Sequence, residues 1–181
     1  KQNLYQITSD VILSLRRILD IEKPDVVFVH GDTTTSMVAA LAAFYAEIPV
    51  AHVEAGLRTY DIYSPFPEEV NRQITSRIST FHFAPTESAK QNLINEQVPK
   101  ENIHVTGNTV VDALLSKIEK ARRFSLPEDL LNRLKFLEKP EDEKIILVTG
   151  HRRESFGPAF EEICHALLEL AKSDEQIKII Y

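Results

Sequence analysis

Residues 29–59, VHGDTTTSMVAALAAFYAEIPVAHVEAGLRT, leave a chain few ways to fold. The apolar run VVFVH (26–30) ends in Gly31-Asp32, three threonines turn the chain, and an alanine-rich stretch runs to about Glu47. Pro49 then introduces a second apolar run, VAHVE, which ends in Glu54-Ala55-Gly56. Short apolar runs of this kind, separated by a helix long enough to cross over, predict parallel neighbours in a buried α/β sheet. Ligands of such sheets bind in the crevice outside the carboxyl ends of the strands. Each strand end here delivers one carboxylate to that edge, Asp32 and Glu54, a plausible acid/base pair.

The alternation extends in both directions. Leu4, Ile7, Val11, Ile12, Leu15, Ile18 and Leu19 recur at helical spacing and predict an amphipathic helix over about 3–20, broken by Lys23-Pro24-Asp25. A loop with Pro65 and Pro67 leads to a helix over about 67–79. FHFAP (81–85) reads as a strand, Thr86 or Ser88 can cap a helix to about Gln97, and IHVT (103–106) reads as a fourth strand. Strand and helix in turn are the pattern of a doubly wound parallel sheet. After Gly107-Asn108 two helices follow in succession, over 109–123 and 127–138, with a charged turn at 139–143. A new strand, IILVTG (145–150), then a helix and the strand IKIIY complete the chain. The break in alternation places a domain boundary near residue 108, giving 1–108 and 109–181. The chain begins at Lys1 close to a helix and stops inside an apolar strand-like run, so it reads as an internal piece of a longer enzyme, with both sheets incomplete.

Composition narrows the partners. A formal charge of -6 over 181 residues argues against a nucleic-acid partner, which would favour a basic face. No apolar run approaches the roughly 18 residues of a membrane-spanning helix, and no signal-peptide pattern opens the chain. The single cysteine, Cys164, excludes an internal disulfide and fits a reducing cytoplasm; it stands among apolar helix residues and is expected to be buried and inert.

Several side chains have both a chemical and a structural reading. Asp32 could serve only as the N-cap of the helix that follows, whereas Glu54 has no capping reason to stand at a strand end. Arg58 could pair with Glu54, hold a phosphate, or form a purely structural ion pair. Glu68 and Glu69 fall in a first helical turn, where the helix dipole favours acids, and Arg72 is spaced to pair with Glu68 across one turn. The loop between them and Arg58 carries Tyr60, Asp61, Tyr63 and Phe66, a composition suited to a lid or a sugar-facing wall. Gly150, His151, Arg152 and Arg153 follow a strand and precede a helix, gathering positive charge where a diphosphate could sit. Gly31, Gly56, Gly107 and Gly150 each follow a strand, where close approach of a nucleotide and a plain tight turn are both open readings. His30, His52, His82 and His104 lie within or just after strands and are expected to be satisfied core or edge residues. Nothing has metal-ligand spacing, and neither GxGxxG nor GxxxxGK[ST] occurs.

HGDTTT, HVEAGLRT, SPFPEEVNR, TGNTVVDAL and TGHRRE occur in this order, and together they resemble the non-hydrolysing UDP-N-acetylglucosamine 2-epimerases. The resemblance implies a GT-B-like α/β architecture: two Rossmann-like, doubly wound parallel-sheet domains around a UDP-sugar. Residues 1–108 would be the remainder of the first domain and 109–181 the start of the UDP-binding second. It implies reversible interconversion of UDP-N-acetylglucosamine and UDP-N-acetylmannosamine for cell-surface polysaccharide, without a metal or nicotinamide cofactor. Carried over by position, the catalytic residues are Asp32, Glu54, Glu68 and His151, with Arg58, Arg72, Gly150, Arg152 and Arg153 binding substrate. A cytoplasmic homodimer of the full-length enzyme is expected, closing about a hinge near Thr106 to Asn108, and the 181 residues alone are expected not to turn over. A hydrolysing 2-epimerase, a GT-B glycosyltransferase and a non-catalytic UDP-sugar-binding module are the alternatives.

Overall fold

The computed structural model describes residues 3–125, 127–134, 144–150 and 157–181. The predicted alternation appears as α1 (Leu4–Glu22), β1 (Val27–His30), α2 (Thr34–Tyr45), β2 (Val50–Val53), α3 (Glu68–Ile78), β3 (Phe81–Ala84), α4 (Glu87–Asn95) and β4 (Ile103–Val105). Local chemistry sets the boundaries. Asn3 starts α1 by accepting the Gln6 N–H at 2.9 Å, and Lys23, in the left-handed region, ends it. Thr86, the first of the two candidate caps, accepts the Ala89 N–H at 3.1 Å.

All four strands are parallel, in the order β1-β2-β3-β4. His30 stands opposite Val53, Val53 opposite Phe83, and Ala84 opposite Val105, so the four carboxyl ends form one edge. The core is built of small and β-branched residues. Val29, Ala40, Ala43 and Val50 form one cluster, and Ala55, Ala84, Ala89, Leu93 and Ile103 another. Alanines in α2 and α4 let helix backbones lie close to the sheet.

Contacts divide the chain into two compact units, Lys1–Ile118 and Glu119–Tyr181. α5 (Thr109–Ala121) follows the first sheet, with Asn108 accepting the Val110 N–H at 3.0 Å. In the second unit α6 (Glu128–Arg133) falls within the helix expected over 127–138, and residues 135–143, with the end of that stretch and the charged turn, lie outside the described residues. β5 (Lys144–Leu147) and β6 (Ile177–Ile180) pair in parallel, connected through α7 (Pro158–Ser173). Cys164 is exposed rather than buried. α7 has no fully buried residue. No helix among the described residues is long and apolar enough to cross a membrane.

Candidate active site at the carboxyl edge of the first sheet

β1 leads directly into Gly31 and Asp32. The Gly31 N–H continues the ladder to the Val53 carbonyl at 3.0 Å, and a φ of +72° turns the chain off the strand. Asp32 is not the cap of α2. Thr33 is, its hydroxyl accepting the Ser36 N–H at 3.2 Å. The Asp32 carboxylate is therefore free for other partners, and Arg72 of α3 takes it: Nη2 to Oδ2 is 3.0 Å. Asn71 holds the same residue from its main chain, Nδ2 donating to the Asp32 carbonyl at 2.9 Å. Burial pushes the Asp32 carboxyl above the ordinary carboxylate range. Arg72 works against that shift, and the negative charges of Glu68 and Glu69 add to it.

Glu54 follows β2 directly, with φ +68°. A side chain in the left-handed region costs about 1–2 kcal/mol and persists where its surroundings over-determine it. That turn brings Glu54 Oε2 to 3.5 Å from His30 Nε2. The same oxygen is 3.5 Å from where a Cβ on Gly31 would stand, so Glu54 crosses back towards the end of β1. Asp32, Glu54 and Glu68 thus lie at the ends of β1 and β2 and the start of α3, with Glu68 close enough to act electrostatically on Asp32. His30, expected from the sequence to be a satisfied core or edge residue, is the exposed last residue of β1 and faces Glu54; its position one before the Gly-Asp turn is the signal that places it at this edge.

Two expected arginine roles change. Arg72 does not form a helix-face pair with the Glu68 side chain; it bridges Asp32 and Glu69, Nε lying 3.5 Å from the Glu69 carboxylate. Arg58 pairs with neither Glu54 nor a phosphate-accessible surface. Its side chain is 0% exposed, donating to both Glu96 carboxylate oxygens at 2.7 and 2.8 Å, to the Leu57 carbonyl and to Ser76. It ties the β2–α3 connection to α4, a structural ion pair.

The loop from Thr59 to Pro67 is compact. Thr59 Oγ1 donates to the Ser64 carbonyl, the Ser64 N–H to the Asp61 carbonyl, and Tyr63 stacks on Phe66 with ring centroids 6.3 Å apart. Tyr60, Tyr63 and Phe66 are exposed. Gly56, with φ +88°, lies against the backbone of Ala89 in α4, so helix packing and not nucleotide approach dictates this glycine. Gly150 has no positive φ, and its carbonyl accepts the Tyr181 hydroxyl at 2.9 Å. His151, Arg152 and Arg153 lie outside the described residues. Among the described residues no group of three or more His, Cys, Asp and Glu could hold a metal ion.

His52 supports the site from beneath. Its Nε2 lies 2.9 Å from the Gly31 carbonyl, and because a carbonyl only accepts, Nε2 carries the proton and Nδ1 is bare. The Nδ1 atoms of His52 and His82 are both buried without a partner, and burial lowers each pKa from 6.5 to about 4. The folded state therefore excludes a proton that the unfolded chain binds below about 6.5. Stability is present in full above that pH and is expected to fall as pH drops through 6.5 towards 4, by on the order of 3 kcal/mol per histidine in the limit. Denaturant midpoints measured between about pH 7 and pH 5 test this above the range where carboxylates titrate; a flat profile contradicts it.

The family model for UDP-N-acetylglucosamine 2-epimerase matches residues 1–181. The UDP-N-acetylglucosamine 2-epimerase of Escherichia coli K12 is 52% identical over 181 residues, covering 99% of this chain and 48% of that protein. The one from Yersinia pestis is 51% identical, with the same coverage. The crystal structure of UDP-GlcNAc 2-epimerase from Neisseria meningitidis bound to UDP-GlcNAc superposes with a TM-score of 0.92 at 48% identity, over 98% of this chain and 47% of that one. The Methanocaldococcus jannaschii UDP-GlcNAc 2-epimerase in complex with UDP-GlcNAc and UDP gives a TM-score of 0.72 at 34% identity, over 99% and 56%. The chain spans about half the length of the curated relatives it matches. The parallel α/β fold agrees with what the motifs led us to expect, and by its family match and these likenesses the chain belongs to the UDP-N-acetylglucosamine 2-epimerase family.

Proposed function

We propose that this chain supplies the acid-bearing wall of an enzyme that interconverts UDP-N-acetylglucosamine and UDP-N-acetylmannosamine. The observation that carries the reading is the grouping of Asp32, Glu54 and Glu68 at one sheet edge, with Arg72 on Asp32. C2 of the sugar bears no carbonyl, so its hydrogen is not acidic and direct deprotonation is very slow. Removal of H2 is therefore coupled to departure of UDP from C1, leaving a glycal and UDP in the closed cleft. Protonation of C2 on the opposite face and re-addition of UDP at C1 invert the centre. A proton leaves one face and another arrives on the other, so two acid/base groups are the minimum. Crowded carboxylates whose surroundings separate their pKa values can serve as acid and base at one pH, and the upward push on Asp32 fits that requirement. His151, Arg152 and Arg153 are assigned to the diphosphate, where positive charge stabilises the leaving group.

In this reading residues 1–108 complete a first nucleotide-sugar domain and 109–181 begin the UDP-binding one, joined by the connection at Thr106 to Asn108. The partners are UDP-N-acetylglucosamine and UDP, and the full-length enzyme is a cytoplasmic homodimer. Incubating the full-length enzyme with UDP-N-acetylglucosamine tests the assignment. UDP-N-acetylmannosamine is the expected product; free N-acetylmannosamine selects a hydrolysing enzyme, and unchanged substrate despite UDP binding selects a binding module.

A further inference from the structure

Glu69 is the residue whose environment the site as described leaves unexplained. It occupies the first turn of α3, where an acid that only complemented the helix dipole would be left in water. Instead it is 0% exposed. Burying a carboxylate is costly unless it is paired and hydrogen-bonded, and Glu69 has a full set of partners. It accepts the consecutive N–H groups of Thr59 and Tyr60, each at 3.1 Å, and the Gln73 amide at 2.8 Å, while Arg72 Nε lies 3.5 Å away. Burial alone would raise its pKa; the Gln73, Thr59 and Tyr60 hydrogen bonds and the Arg72 charge hold it below the ordinary range, so it is ionised.

The partners point in two directions. Thr59 and Tyr60 open the loop that leads to Glu68, and Tyr60 is bent into the left-handed region, φ +63°. A main chain so bent presents neighbouring N–H groups to one anion, and Glu69 is that anion. Arg72 reaches the other way, its second nitrogen lying 3.0 Å from Asp32. One carboxylate thus fixes the start of the loop and, through a single planar guanidinium, the acid at the end of β1. An acid that only secured the loop would not need to share the arginine of Asp32.

We propose that Glu69 is a positioning residue for the epimerase reaction, holding Asp32 through Arg72 and the loop 59–67 through the Thr59 and Tyr60 amides in one fixed geometry. This rests on the reading of Asp32 as a proton-transfer group. Glu69→Gln in the full-length enzyme keeps the size of the side chain, but turns an amide towards N–H donors and removes the charge that Arg72 shares. Misplacement of a catalytic group by about 1 Å can cost about 10²-fold, so kcat is expected to fall about 10²-fold while KM stays within about threefold.

A second readout separates positioning from simple loop support. The charges acting on Asp32 are Arg72, Glu68 and Glu69, all from α3, while His30 and Glu54 face each other at the adjoining strand ends. Removing the Glu69 charge leaves Arg72 to Asp32 alone, so the limb of the pH–rate profile that belongs to Asp32 moves to lower pH. Normal kcat, a change in KM alone, or an unmoved limb overturns the proposal. If Glu69→Gln does not fold, Arg72→Lys decides, because a point-charge ammonium cannot span both carboxylates as a guanidinium does: a comparable loss of kcat at constant KM supports the proposal and normal turnover overturns it. Asp32→Asn is assayed alongside. If it turns over normally, the reading of Asp32 falls and this proposal with it; if it is inactive while Glu69→Gln and Arg72→Lys are normal, only the positioning role falls.

Discussion

Asp32→Asn, Glu54→Gln and Glu68→Gln are each expected to lower turnover of the full-length enzyme by about 10²–10⁴-fold, the usual contribution of a general acid or base, while leaving UDP affinity near its starting value. Each change keeps the shape of the side chain and removes its ability to take or give a proton. The three are not expected to be equal. Asp32 is paired to Arg72 and loses an ion pair as well as a proton acceptor. Glu54 is half-buried just beyond β2 and has His30, 3.5 Å away, as its neighbour in place of an arginine, so its replacement disturbs the frame less. His151→Asn is expected to weaken UDP binding and rate together, since its assigned partner is the leaving diphosphate. Initial rates and UDP titrations on the four variants separate these outcomes; near-normal turnover in all three acid variants refutes the proton-transfer assignment.

The largest expected effect on stability is at Gly56. A Cβ there would collide with the carbonyl group of Ala89 and crowd the Leu93 side chain, and φ is +88°. Gly56→Ala adds about 1–2 kcal/mol for the left-handed conformation to about 1–3 kcal/mol for overpacking. The sum, about 2–5 kcal/mol, is a large share of the roughly 5–15 kcal/mol that holds a folded protein together. Gly107→Ala supplies the internal comparison: φ is +80°, but nothing stands within 4 Å of the added carbon. It should lose only the conformational term. Denaturant unfolding that ranks Gly107→Ala as more damaging than Gly56→Ala contradicts the packing account.

The parts of the fold that follow from local chemistry were legible from residues alone. The run VVFVH, Pro49 before VAHVE, and Thr86 ahead of α4 mark element boundaries, and the structure puts β1, β2 and α4 there. The placement of Asp32 and Glu54 at one edge follows from strand polarity, which needs no tertiary detail. What was not legible depends on which helix face turns inward. Glu68 and Glu69 are adjacent in the same helical turn, yet Glu69 is fully buried and Glu68 only half-buried. Nothing in the spacing distinguishes them before the loop 59–67 folds over α3. Arg58 illustrates the same limit: its partner Glu96 lies 38 residues away, beyond any local pattern. Thr33, not Asp32, caps α2 because the Gly31 turn carries Asp32 off the helix axis towards α3. Cys164, expected to be buried from its apolar neighbours in sequence, is exposed on α7, none of whose residues is buried.

Elimination and re-addition make one demand that neither hydrolysis at C1 nor glycosyl transfer makes: the bond from C2 to its hydrogen must break. Running the full-length enzyme on UDP-N-acetylglucosamine in deuterated water and reading C2 by NMR tests that demand directly. Because the proton removed and the proton returned pass through different acid/base groups, the account predicts deuterium at C2 of UDP-N-acetylmannosamine and, at equilibrium, of recovered UDP-N-acetylglucosamine. Inverted product that retains its original hydrogen at C2 would contradict it.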